Sequence, residues 1–483
     1  GGMDRFYSAL DINALTSLSE TFPYALTEGA RFHLATVATA VGGIPYLIDQ
    51  DVSGYLFAPG DAETLGKRLA ALGNDDALRR DMGEKLYEKA SRDFSIQKTV
   101  DTQLHIYQEI LRRSHREKKA RDGVVICGAY GRDNAGDDAI LDAILQEMRS
   151  LDPDMPVTVL SKDPAATRLT YRVRSIHRSH VLSWRHAMRK SVLYINGGGS
   201  LIQDVTSRRS LWYYLYNIRS AHALGCRVQM YGCGIGPVTR DKHRRMAART
   251  LNDCVDIITL REPDSQAELQ AMGVTKPRIL LTADPALTLS AATEDETDSV
   301  LLRAGIPPRG RYLCFALRRW PGFEEAAPAI RAAAAYAYET YGLTPVFLSV
   351  EKHLDPGAGR IAADGLAVPH YFLDDAGGAG TIIGALSRME AVVSMRLHAL
   401  IFAAGQGIPL VGLVYDPKVS AFLRYIGQEQ FQDLSALTEE SLRRMIDRAV
   451  EQSHDRAAQA AAVQRLQAME HRNVQAAQSL LEG

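Results

Sequence analysis

Arg396 and His398 stand one residue apart in AVVSMRLHALIFAAGQGIP (391–409), directly after an apolar run and directly before a small-residue helix. The run reads as a strand that finishes near Ser394, so both side chains sit near a strand's carboxyl end, where open α/β sheets bind ligands. A guanidinium recognises carboxylate or phosphate in bidentate fashion, and an imidazole titrates near neutrality and moves protons. A lone histidine here is more often structural. Beside Arg396 it fits an anionic substrate that needs acid–base help.

Other strand ends carry residues of the same kind. GAYGRDNAGDDAIL (128–141) is a Gly-rich strand-to-helix turn, which offers an anion free backbone N–H groups and a positive helix terminus. Its spacing is neither a dinucleotide fingerprint nor a P-loop. The plain reading makes Asp137 the N-cap of the helix, while Asn134, two residues before Gly136, tolerates the left-handed region and can donate to a ligand. NGGGSLIQD (196–204) puts Gly198 and Gly199 where backbone approaches a ligand closely or turns sharply, and GCGIGP (232–237) repeats that punctuation one strand later. In LREPDS (260–265), Arg261 and Glu262 follow a strand; a self-contained surface pair is the alternative to a ligand contact. Asp284 in LTADPAL ends another strand, with capping as its plain role. Arg318 and Arg319 close YLCFALRRW, where Trp320 reads as packing. No H-E-x-x-H and no clustered Cys/His points to a metal, and no G-x-S-x-G points to a nucleophile elbow.

These strand ends must be positioned by a large α/β module. Short apolar runs alternate with helical stretches from VVICGAY to LVGLVYD, the pattern of parallel sheets. An acidic Ser/Thr-containing segment (290–300) and GIPPRGR separate the runs into two groups, so two doubly wound halves facing a cleft are expected, over 123–295 and 305–455, with a C-terminal helix over 456–483. The basic run LRRSHREKKARDG (111–123) sets off a smaller module, 1–118, in which Asp61 should cap a helix bearing Leu65, Leu69 and Leu72 on one face.

With 46% hydrophobic and 23% charged residues among 483, the chain has ample material for globular cores. Its net charge of -1, from 56 basic and 57 acidic residues, creates no overall field toward nucleic acid or an anionic membrane, so an anionic ligand must be held by local cations. Five scattered cysteines without a C-x-x-C pair read as buried, reduced thiols of a cytoplasmic protein. No apolar run is long enough to span a bilayer, and no signal-peptide pattern opens the chain.

VGGIPYLIDQDVSGYLFAPGD, followed by LRRDMGEK and DFS, resembles the C-terminal portion of retaining, nucleotide-sugar-dependent glycosyltransferases. That family's E-x7-E motif has only its first member here, Glu28, with Thr36 at the second position. The resemblance thus implies a remnant rather than a working glycosyltransferase. The larger module is similar to the polysaccharide pyruvyl transferase family, CsaB-like, through GAYGRDNAGDDAIL, INGGGSLIQD, YGCGIGP, LREPDSQAEL, LTADPAL and SMRLHALIFAAGQGIPLVGLVYDPKVSAF.

This second resemblance implies a GT-B-like fold of two Rossmann-like halves and transfer of pyruvyl from phosphoenolpyruvate to a sugar as a ketal. The implied acceptor is N-acetylmannosamine of a lipid-linked secondary cell wall polymer precursor, whose product anchors surface-layer proteins, and no cofactor or metal is implied. It maps the family's Arg-x-His pair onto Arg396 and His398, its asparagine onto Asn134 and its strand-end arginine onto Arg261. On that basis Arg261 and Arg396 would hold phosphate and carboxylate, Asn134 and the 197–199 backbone would orient them, His398 would handle a proton or the leaving phosphate, and Asp137 or Asp138 would deprotonate the acceptor. The expected location is the cytoplasm, at the inner face of the membrane if residues 112–121 touch it. A solvated linker is the plainer account of that run. Two rival readings are a nucleotide-sugar glycosyltransferase and a docking or self-association role for 1–118.

Overall fold

The computed structural model describes residues 2–114, 120–132, 134–205 and 207–482. Most of the basic run, 115–119, lies outside them. Two compact units result, Gly1–Glu117 and Lys118–Gly483.

The first unit is built on three parallel strands, β1 (Ile12–Leu15), β2 (Ala35–Thr39) and β3 (Tyr55–Phe57), in the order β1-β2-β3. Asp61 caps the helix Ala62–Asn74 by accepting from the Thr64 N–H at 2.9 Å, and the buried Leu72 seats that helix on the sheet. Glu28, on the helix Tyr24–Arg31, accepts from the Tyr7 hydroxyl at 3.0 Å, while Thr36 is buried within β2 and donates to the Leu34 carbonyl.

The second unit holds two parallel sheets. One contains β4 (Val124–Cys127), β5 (Val157–Ser161), β6 (Arg174–His177), β7 (Leu193–Gly197), β8 (Arg227–Cys233), β9 (Ile257–Leu260) and β10 (Arg278–Leu281), ordered β10-β9-β8-β7-β4-β5-β6. The other contains β11 (Tyr312–Ala316), β12 (Thr344–Leu348), β13 (Tyr371–Leu373), β14 (Ala391–Ser394), β15 (Leu410–Val414) and β16 (Phe431–Asp433), ordered β13-β12-β11-β14-β15-β16. Each starts in the middle, winds outward one way, then returns to wind the other way. The reversals fall between β4 and β7 and between β11 and β14, and it is outside such reversals that doubly wound sheets form ligand crevices.

The strands are apolar on both faces, as in VVIC and AVVS, because helices cover both sides. The two halves share one hydrophobic core, in which Ile140 and Ile144 of the helix Ala135–Leu151 join Leu397, Leu400 and Ile401 of the helix Leu397–Gly405. Instead of the single helix expected over 456–483, the chain forms two, Arg456–Glu470 and Arg472–Glu482. The direction must change because the first lies against the helix Leu397–Gly405, whereas the second crosses back to β8 and β9. There Val474, Ala477 and Leu480 are buried, and Asn473 Nδ2 donates to the Ala283 carbonyl at 2.9 Å.

All five cysteines are free thiols. Four are buried and Cys254 is half-buried. No described helix is long and apolar enough to cross a membrane.

Candidate active site

The first half supplies two glycine-rich turns at its reversal point. The chain leaves β4, turns at residues 128–132 and enters the helix Ala135–Leu151 with Asn134 in extended conformation (φ -108°, ψ 104°), its side-chain oxygen accepting from the Gly136 N–H at 3.0 Å. The N-cap is therefore Asn134. Asp137, the expected cap, is the third residue of the helix, whereas the N-cap is the residue just before the first helical one. After β7, Gly198 and Gly199 adopt φ values of 61° and 69°, a region costly to residues with a Cβ. A Cβ on Gly198 would collide with Ile140, and one on Gly199 would reach 3.6 Å from Asp137 Oδ1. The triple-glycine turn thus passes closely under the first turns of the 135–151 helix.

Each half also holds one arginine between carboxylates. Arg261, at the end of β9, is only 6% exposed; Nε donates to Glu262 Oε2 at 3.0 Å, Nη1 to Asp284 Oδ2 at 2.8 Å and Nη2 to Ser200 Oγ at 3.2 Å. The surface-pair alternative for Arg261 and Glu262 fails because both are buried. Asp284 both pairs with Arg261 and caps the turn Pro285–Thr288 through the Ala286 N–H at 3.0 Å. Arg396, after β14, is 5% exposed; Nη1 donates to Asp355 Oδ1 at 3.0 Å, and both Nη atoms lie 3.3 Å from Glu351 Oε2. Asp355 is itself fixed by the Val350 and Glu351 N–H groups, at 3.0 and 2.8 Å.

Burial raises the Glu262 and Asp355 carboxyls, and the facing guanidiniums counter it in each case. Neither guanidinium is a bare cation awaiting an anion. Each is a clamped donor whose remaining N–H groups can point at a ligand, with its charge already matched.

The halves meet here. Glu351 and Asn134 form an isolated antiparallel bridge across the cleft. A Cβ on Gly136 would collide with His398 Nδ1, so glycine is what lets the histidine of one half lie on the first turn of the other half's helix. Burial, with repulsion from Arg261, Arg396 and Lys418, pushes the His398 imidazole down to about 4 against the pull of Asp284, so it is neutral at pH 7. Its Nε2 is enclosed and has no hydrogen-bond partner among the described residues.

Asp137 shifts in the opposite direction. Burial first, then Asp138, pushes its carboxyl up to about 7, although Arg261, Arg132 and Arg396 oppose the shift. Asp137, Arg261, Asp284, Arg396 and His398 are thus close enough to perturb one another, while Asn134, Gly198 and Gly199 shape the same crevice. Two titratable groups with oppositely displaced pKa values mark a site that can divide acid and base duties. Asp138 faces instead a cleft of about 490 Å³ between the halves, lined also by Asp142, Ser349 and Lys352.

Arg318 stands apart from the cluster. It follows β11, neighbour of β14, but its guanidinium lies 5.8 Å from the centre of the half-exposed Trp320 ring, which packs edge-on against Tyr415. Three residues belong to the site that sequence reasoning did not single out. Glu351 and Asp355 sit in SVEKHLDP, which carries no recognisable motif; only the strand order brings β12 beside β11, one strand away from β14. Lys418, in YDPK, begins the helix Pro417–Tyr425 and pairs with Asp416 at 3.3 Å. Its strand-end position was the available signal.

Two doubly wound halves around one polar crevice define a GT-B-like fold. Solved structures agree at the level of fold: Anabaena Alr3699/HepE in complex with UDP-glucose superposes with a TM-score of 0.51 at 10% identity, covering 74% of this chain and 99% of that one. A glycosyltransferase from Rickettsia africae gives a TM-score of 0.51 at 8% identity, covering 75% and 99%. The chain belongs to the polysaccharide pyruvyl transferase family, whose model matches residues 134–417, and a model of glycosyl transferases group 1 matches residues 2–89.

Curated relatives match over shorter stretches. N-acetyl-alpha-D-glucosaminyl L-malate synthase of Bacillus anthracis is 33% identical over 102 residues, 21% of this chain and 27% of that protein. D-inositol 3-phosphate glycosyltransferase of Saccharomonospora viridis is 34% identical over 113 residues, 23% and 26% respectively. The chain spans about a quarter of the length of these relatives.

Proposed function

We propose that the second unit transfers pyruvyl from phosphoenolpyruvate to a saccharide and closes it as a cyclic ketal, with N-acetylmannosamine of a lipid-linked cell wall polymer precursor as acceptor. The observation that carries this reading, together with family membership, is the crevice in which a carboxyl pushed up to about 7, a neutral histidine and two clamped arginines act on one another.

The reaction asks for such groups. A proton goes to the methylene carbon of the donor, positive charge develops at the adjacent carbon, and one sugar hydroxyl adds there as it loses its proton. The carbon–oxygen bond to phosphate then breaks while a second hydroxyl attacks and loses its proton, so the acceptor's two protons end on the new methyl group and on phosphate. Asp137, titrating near 7, is suited to give the first proton and to accept one from the acceptor. Neutral His398, with its free Nε2, is suited to receive the leaving phosphate, whose charge would raise its basicity. Arg261 and Arg396 offer their unengaged N–H groups to carboxylate and phosphate, Lys418 adds charge, and Asn134, Gly198, Gly199 and Asp284 hold the crevice in shape. Arg318, over Trp320 and outside this cluster, takes no step in the reaction.

Incubation with phosphoenolpyruvate and lipid-linked disaccharides, read by phosphate release and by mass spectrometry for an added pyruvate less water, tests the reading. Phosphate release without a ketal product, or neither, would refute it. A second reading, glycosyl transfer by residues 2–89, is favoured by their family match alone. Incorporation of label from a panel of UDP-sugars, lost on Glu28→Ala, would support it.

A further inference from the structure

Charge is unevenly spread along this chain. Residues 164–240 carry twelve arginines and lysines against one carboxylate, Asp204, whereas the whole chain has a net charge of -1. Asp204 is buried and engaged internally, accepting from the Thr239 N–H at 2.7 Å and lying 2.7 Å from His243 Nδ1. The segment therefore presents cations with no surface carboxylate of its own, although Arg227 pairs with Asp256 outside it at 3.4 Å.

Two of its helices, Val181–Lys190 and Arg208–Ala223, lie side by side over one face of the first sheet. On the second helix, Arg208, Trp212, Tyr216 and Arg219 recur at helical spacing along one exposed stripe, with both rings 49% exposed. On the first, Leu182 is 85% exposed and is followed on its stripe by His186 and Arg189. Beneath the stripes the helices are held in register. Trp184 is buried edge-on against Tyr216 at 6.0 Å, and Arg185 reaches Ser220 Oγ at 3.4 Å.

Among the described residues, Arg189, Lys190, Arg208, Arg209 and Arg219 form no ion pair. Where the first helix begins, a cavity of about 450 Å³ is lined by Arg168, Arg174, His177, His180 and Ser183, together with Asp163, whose carboxylate caps its own helix. A helix that follows a strand begins at that strand's carboxyl end, so Leu182, Arg208 and Trp212 lie toward the rim that holds Gly198 and Gly199.

Tryptophan and tyrosine rings flanked by unpaired arginines, with an exposed leucine among them, match the headgroup layer of an anionic bilayer, where rings sit at the interface and cations meet phosphates. A nucleic acid would engage the cations and leave Leu182 without a partner. We infer that this face docks on an anionic phospholipid bilayer, Leu182, Trp212 and Tyr216 entering the headgroup layer and the Arg168–Arg174 cavity receiving a lipid phosphate. A lipid-linked acceptor would then arrive beside the crevice mouth instead of being drawn from solution.

Sedimentation of the full chain with vesicles tests this. Binding is expected on phosphatidylglycerol-containing vesicles, falling with salt, and not on phosphatidylcholine alone. R208E/R209E should lower partitioning at least about tenfold, since one basic residue near a charged surface is worth roughly fivefold. W212S/Y216S should lower it about tenfold while leaving turnover of a water-soluble acceptor unchanged. Circular dichroism melts confirm that both variants fold, and Leu182→Ser, at a position 85% exposed, gives a third reading if either does not.

Equal partitioning of the charge-reversed and unmodified proteins overturns the inference, as does absence of binding to the anionic vesicles. Self-association removed by the same substitutions, without vesicle binding, overturns it as well. Since the assay contains neither donor nor acceptor, its failure is distinct from failure of the proposed reaction.

Discussion

The two reversal points of the second unit repeat one device and then diverge. In each, a buried arginine follows a strand and is gripped by two carboxylates, Glu262 and Asp284 in the first half and Glu351 and Asp355 in the second. What stands beside the grip differs. The first half adds glycines and an acid displaced upward, Asp137; the second adds an imidazole displaced downward, His398. In the proposed reaction, one half would approach the substrate with backbone and exchange a proton near neutrality, and the other would present a neutral side chain to an incoming charge. Neither set holds both groups, so the proposed transfer would need the two halves together.

Breaking a grip should have the largest effect. Arg396→Ala leaves Glu351 and Asp355 facing each other unpaired in a buried site, and should cost about 3–5 kcal/mol in unfolding experiments as well as all measurable transfer. Arg261→Ala should behave alike, and a thermally unchanged variant of either would show that the grips are not structural equivalents.

Removing the divergent groups should come next. Asp137→Asn and His398→Gln should each lower kcat by roughly 10²- to 10⁴-fold, with Asp137→Asn also erasing the limb of the pH–rate profile near pH 7. Their stability signatures have opposite signs. The folded Asp137 binds its proton more tightly than the unfolded chain does, so it costs stability as pH rises from about 4 toward 7, and Asp137→Asn should be the more stable protein at pH 8. The folded His398 binds its proton less tightly, so stability is lost as pH falls from about 6.5 toward 4, and His398→Gln should flatten that acid limb. Urea titrations at pH 4.5, 6 and 8 would separate the two.

A smaller effect is expected where the halves touch. Gly136→Ala should set about 1 kcal/mol of helix propensity against an overpacking cost of about 1–3 kcal/mol, because its Cβ would meet the buried His398 ring, so that transfer falls roughly tenfold with a small net loss of stability. The smallest change is expected for Arg318→Ala, a few-fold rise in KM for acceptor with kcat unchanged, because its guanidinium lies over Trp320 and outside both grips.

Much of this arrangement is legible in short stretches of chain. Strands such as VVIC, LYING and AVVS announce themselves by unbroken apolar runs, and their ends carry Gly198, Arg261 and Arg396 within a few residues. The edge strands β6 (RSIH) and β16 (FQD) and the short β1 (INAL) did not, because a strand paired on one side or half-exposed has no apolar run to show. Asn134 was noticed as a ligand contact and emerged as a cap, since the register of a helix start depends on which residue turns extended. Glu351 and Asp355 escaped because their meaning arises from strand order, which puts residues more than forty positions away from Arg396 against its guanidinium. The surface of 164–240 escaped for another reason: a chain-wide charge near zero conceals a local excess.

The final helix has a mechanical consequence. Because Arg472–Glu482 returns to β8 and β9 after the chain has already passed from the first sheet to the second near residue 290, two covalent straps join the lobes instead of one. A body tied to another at two points keeps a single easy freedom, rotation about the line through the ties. Two such crossings confine relative movement of the lobes to rotation about the line between them, which favours one seating of His398 on Gly136.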